Sequence, residues 1–285
     1  MEKNFHLETE ELLRTIEEFK EVHQISHENL GSFISTVKDF FTARLKKVIA
    51  IFKINMNRTQ SAEELTYYVK EIIRLQPDIN RVTQKLDFLE VQDTVVPTIQ
   101  GLKTNLLAIS DDLAKASTLA VDNVPKEFAL LDEITSKMIS SEDYRRQLRP
   151  LPHVDGNLNK NLKEVLEKHI ITNKVTDTDK LGNVIPNLSS LTTIASNLIT
   201  TGNKQTVDKM NKLQEMVVSL DIKGNELLEL LKSKDVEVSK NVLDSYSEHL
   251  AVAAESCTLA ASIYHLNNRA AAVTKAIVEK LKNKL

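Results

Sequence analysis

LDSYSEHLAVAAESCTLAASIYHLNNRAAAVTKAIVEKLKNKL, residues 243–285, decides the fold. Positions three and four residues apart alternate through it without a break: Leu243, Tyr246, Leu250, Ala253, Cys257, Ala260, Tyr264, Asn267, Ala271, Thr274, Val278, Leu281 and Leu285. That spacing keeps one face of a helix in line and predicts a single long helix with a coiled-coil-like seam. Ala, Leu and two Tyr fill the seam, so it reads as a surface that grips another helix at close range. Whether that other helix belongs to this chain or to a second one stays open. Charge is graded along the helix: acids dominate 235–268, and Arg269, Lys275, Lys280, Lys282 and Lys284 follow. Acid near the start and base near the end suit the helix dipole.

Working back toward the N-terminus, helical signals continue. Only six Gly and six Pro occur in 285 residues, and strand-type alternation is scarce, so an all-α, elongated bundle of long helices is expected. The exception is His169 to Ile185, where β-branched residues crowd around turn formers; a short β-hairpin or an ordered loop is expected there. Pro77 reads as a stop, and Pro97 and Pro125 each as the first position of a new helix. Pro150 and Pro152 divide the chain into an N-terminal helical bundle, 1–149, and a region from 150 to 285 that ends in the long helix. In that second region Gly156, Gly182, Gly202 and Gly224 are each followed by Asn, a stop-and-restart pair. Nothing aromatic lies between Tyr144 and Tyr246, which predicts a slender structure there.

The first two helices carry opposite charge. Eight Glu against Lys3, Arg14 and Lys20 make residues 1–28 acidic, whereas Lys38, Arg44, Lys46, Lys47, Lys53 and Arg58 against Asp39 make 29–62 basic. The helix near 32–56 also has a wide apolar face. Two readings stay open: an antiparallel hairpin with complementary flanks, or a surface for an acidic partner or a membrane. The candidate interaction surface is therefore Phe33, Phe40, Phe41, Lys47 and Phe52 on this helix, with Tyr246, Ala253, Ala260 and Tyr264 on the final seam.

Composition narrows the functional classes. A net charge of −3 gives no general drive toward nucleic acid. The acidic N-terminus does not read as a secretory signal, and the longest clean apolar run, Val48 to Phe52, is far short of a membrane span. A soluble chain in a reducing compartment is expected, with its single Cys257 serving as a small hydrophobe. No phosphate loop, dinucleotide fingerprint, HExxH or CxxC is present. Asp177 and Asp179 start like a calcium loop, but Leu181 and Leu188 stand where oxygen ligands are required. His23 and His27 are one turn apart with no third ligand in sight, and His249, Cys257 and His265 diverge by about 80° per eight-residue step. The expectation is a non-enzymatic protein without cofactor or metal, oligomeric or part of a larger assembly.

Leu158 to Leu191, with NLKEVLEKHIITNKVTDTDKLGNVIPNLSSL at its centre, and the aromatic, basic helix near Phe40 to Phe52 resemble virion structural or internal head proteins of large tailed bacteriophages. The resemblance implies a component of a particle or of its assembly core, located in the virion or the host cytoplasm, with other virion proteins or further copies of itself as partners. It implies no functional residue. The competing expectations are a membrane-acting helical protein, such as a pore-forming toxin subunit or membrane-surface scaffold, and a cellular coiled-coil adaptor or assembly chaperone.

Overall fold

A computed structural model describes residues 34, 35, 38, 62–99, 104–153, 156–169, 177–233 and 236–284. Within them the order is α1 (Ala62–Lys85), α2 (Phe88–Val91), β1 (Val95–Thr98), α3 (Leu106–Ser140), α4 (Glu142–Arg146), α5 (Asn157–His169), β2 (Asp177–Lys180), α6 (Leu181–Val184), α7 (Ser190–Thr201), α8 (Lys204–Leu231) and α9 (Lys240–Lys282). The chain is predominantly helical, with one small antiparallel sheet among the described residues.

The final helix is longest, about 65 Å at 1.5 Å per residue. Ser239 caps its start by accepting from the Val242 amide, and Lys280 and Lys282 lie in its last turn, where positive charge meets the negative end of the dipole. Every described seam position, from Leu243 to Leu281, is buried. Burial extends far beyond that stripe to 31 of the 43 residues, so α9 is enclosed rather than laid along one partner. Helices α1, α3, α5 and α7 all contact it. One core therefore runs from Leu65 to Leu281 and takes side chains from both sides of the break around 147–156. Small residues make this arrangement feasible, because Ala253, Ala254, Ala260, Ala261, Ala270 and Ala271 let several neighbours approach at once. Overpacking such a site costs about 1–3 kcal/mol, so Ala260→Leu is expected to lower the urea midpoint with the m-value unchanged. An unaltered midpoint would show that the space around Ala260 is not filled.

Three proline expectations are corrected. Pro77 lies inside α1 and Pro125 inside α3, and neither starts or stops a helix. Each removes one backbone donor, but the buried faces run straight past them: Leu75, Ile79 and Val82 in α1, and Val121, Val124, Phe128 and Leu131 in α3. Core packing outweighs the local cost. Pro97 is in β1, opposite Thr178.

The short strand structure expected within 169–185 is present. A strand does form at 177–180, but its partner is Val95–Thr98, in the register Val95 with Lys180 through Thr98 with Asp177. Asp93 bridges Lys180 at 2.9 Å, and Lys284 donates to the Thr94 hydroxyl at 2.7 Å, tying the ribbon to the end of α9.

Of the Gly-Asn pairs, Gly202-Asn203 behaves as expected. Asn203 caps α8 through the Thr206 amide, and a Cβ on Gly202 would meet Val69 of α1 at 2.9 Å. Gly224-Asn225 instead lies within α8, with Gly224 on its buried side.

Candidate functional site

The predicted interaction residues separate into two groups. Phe33, Phe40, Phe41, Lys47 and Phe52 lie outside the described residues. Tyr246, Ala253, Ala260 and Tyr264 are interior, none more than 2% exposed, and their partner is α3 and its neighbours in the same chain. They leave no surface for another molecule. The Tyr246 phenol reaches Thr135 Oγ1 at 2.8 Å, and the Thr135 hydroxyl is committed to the Leu131 carbonyl at 2.7 Å, so Tyr246 is the donor. Tyr264 meets Ser117 at 3.3 Å. Burial raises both phenol pKa values well above the ordinary range.

The reactive groups of α9 are sealed in the same way. Cys257 is fully buried, and desolvation raises its pKa so far that it stays a thiol, not the nucleophilic thiolate. His249 donates from Nε2 to the Pro152 carbonyl at 2.8 Å, and burial lowers its pKa. His265 is pushed down to about 3, first by burial and then by Arg269 one turn away, and remains neutral. Burial likewise lowers Arg269 to about 10.

Between α5 and α9 lies an open groove of about 560 Å³. Its floor is a polar tie. Glu255 accepts from Asn159 Nδ2 at 3.0 Å and pairs with Lys163 Nζ, while the same Asn159 amide donates to the Val252 carbonyl at 3.1 Å. Ser256 continues the tie to Glu127 of α3. The rim carries His153, Lys160, Glu164 and Glu248, and Val252 is the apolar contribution. Such a lining holds helices by charge and hydrogen bonding and offers little to an apolar ligand.

A second polar cluster joins the start of α3 to the end of α5. His169, fully buried, contacts Asp112 Oδ2 through Nε2 at 2.8 Å and Thr104 Oγ1 through Nδ1 at 2.9 Å. Lys168 adds a 2.6 Å bridge to the same carboxylate oxygen. Burial alone would raise the Asp112 pKa, but the hydrogen bonds from Lys168 and His169 outweigh it and lower the value. The Asp112 carboxylate faces Nε2 and the Thr104 hydroxyl faces Nδ1, so both ring nitrogens are engaged. Hydroxyl, imidazole and carboxylate stand in the order of a nucleophile relay, yet each bond also ties a helix end. Sequence reading missed this cluster because 65 residues separate Thr104 from His169.

Comparison with family models, curated proteins and solved structures gave no match. Among the described residues, no group of three or more His, Cys, Asp or Glu is placed to hold a metal ion. No described helix is long and apolar enough to cross a membrane.

Proposed function

We propose that this protein is a structural or assembly component that acts through protein–protein contacts rather than turnover. The observation that carries the reading is α9: from Ala251 to Ala271 every residue but Ser262 is buried, and the thiol, imidazole and phenol groups in that stretch are sealed away from any substrate. A helix used this way supports a rigid body whose outer faces are free to bind. Large side chains do remain outside, with Leu148 at 81%, Leu89 at 72% and Ile222 at 67% exposure. The resemblance of 158–191 to internal head proteins of tailed phages favours a particle or its assembly core as the setting, with other virion proteins as partners.

Untagged protein purified from its source tests the reading by native mass spectrometry and sedimentation. The expected result is a defined complex with a stoichiometric protein partner, cosedimenting with particles where particles are made. A partner-free monomer that sediments with liposomes would overturn it and favour the membrane-acting alternative.

A further inference from the structure

Helix α8 turns one face inward, with Leu213, Val217, Leu220, Leu227 and Leu231 in the core. Its opposite face carries a short pattern. At 100° per residue, Asp208, Glu215, Val218, Glu226 and Glu229 all fall within about 40° of Ile222. All six side chains are exposed, Val218 by 40% and Ile222 by 67%. The outward line thus reads acid, acid, aliphatic, aliphatic, acid, acid, with Lys204 at the first turn and the half-buried Asn211 between the first two acids. Glu229 is bridged by Lys232 at 2.5 Å. Among the described residues Asp208, Glu215 and Glu226 have no cation partner, although the lysines on the flank of α8 do pair: Lys209 with Asp122 and Lys223 with Asp132, both on α3.

We infer that this face docks an amphipathic helix of a protein partner, one with aliphatic side chains a turn apart at its centre and Lys or Arg beyond them at both ends. This rests on the assembly reading above and names the chemistry of a partner for it. Val218 and Ile222 are four residues apart on one face of α8, a spacing that an amphipathic partner helix can match side chain for side chain. The carboxylates at either end select its charge. A second copy of α8 is a poor occupant: parallel pairing sets each carboxylate against its own counterpart, and antiparallel pairing about Ile222 sets Glu215 against Glu229. An anionic lipid surface is repelled by the same four carboxylates.

The test uses the full chain and two synthetic helical peptides of about six turns, each with the same aliphatic centre, one ending in lysines and the other in glutamates. Fluorescence anisotropy at low and high salt reads binding. The lysine-ended peptide is expected to bind preferentially and to weaken as salt screens the flanking charges. Ile222→Asp is expected to weaken it about tenfold or more. The pair Glu215→Lys and Glu226→Lys is expected to reverse the preference between the peptides. All three sites are exposed, so helicity and melting temperature are expected to stay unchanged. Equal affinity for both peptides, or binding indifferent to Ile222→Asp, overturns the inference. So does a wild-type dimer that Ile222→Asp dissolves, which would make the occupant a second copy. If the peptides fail while the native complex survives these substitutions, the docking face is wrong and the assembly reading stands. A partner-free native protein sinks the assembly reading itself.

Discussion

Lys163→Ala is expected to destabilise the protein by about 3 kcal/mol, read as a lower urea midpoint. Lys163 Nζ, on a side chain still 27% exposed in the groove, pairs with Glu255, a residue only 6% exposed; removing one member of a fully buried pair strands the other charge at a cost of about 3–5 kcal/mol. The lower end applies because the groove admits water and Asn159 still donates to the Glu255 carboxylate at 3.0 Å. Replacing both partners, as in Lys163→Met with Glu255→Leu, is expected to recover most of the loss, because no charge is then left stranded. If the single change costs less than about 0.5 kcal/mol, the pair behaves as a solvated surface bridge and the tie between α5 and α9 is not electrostatic.

Acid is expected to unfold the protein through its central helix. His265 has an ordinary pKa of 6.5 and is held at about 3 when folded. Between those values the unfolded chain takes up a proton at this imidazole and the folded chain does not. Unfolding therefore binds protons, and stability falls as the pH drops, by about 2 kcal/mol at about pH 5 and further toward pH 3. His249, also lowered by burial, acts in the same direction. Asp112, whose folded pKa is depressed, adds its own loss as the pH falls through the carboxylate range. In His265→Leu the slope of stability against pH between about 5 and 6.5 is expected to lose the share of one proton, whatever the offset at neutral pH. An unchanged slope would show that His265 is protonated in the folded state.

The seam of α9 was legible because its period is long and unbroken, and each of its described positions is buried. The all-round enclosure was not, because Ala, Ser and Thr fit equally well on a half-wetted helix. One signal did exist. Residues 256–268 contain no charged side chain, a run too long for a helix with a solvated back. The errors at Pro77 and Pro125 share one cause: the roughly 3 kcal/mol that a proline costs inside a helix is outweighed by the apolar faces that continue past it. The β1–β2 pairing and the Thr104–His169–Asp112 cluster could not be read, since each joins segments far apart in the chain. Tyr246 and Tyr264 were expected on a seam that grips another helix, of this chain or a second one, and both are buried where α9 packs against α3. A tyrosine on a close-packed seam signals equally a partner chain or, as here, a hydroxyl on a neighbouring helix. The outward pattern of α8 was present in the sequence, but it emerges only when Leu213, Val217 and Leu220 are known to face the core.

The position of α9 in the chain also sets an order of events during synthesis. The helices that surround it, α1, α3, α5 and α7, all leave the ribosome first. Until residues 240–282 emerge, α3 can already close on α7 and α8, but the faces these helices turn to α9 lack their partner, and the nascent protein exposes apolar surface on several helices at once. Completion is a late, concerted event rather than a domain-by-domain one. A message cut short before Lys240 yields a product with every outer wall and no centre, a substrate for chaperones and proteases instead of a shorter version of the protein.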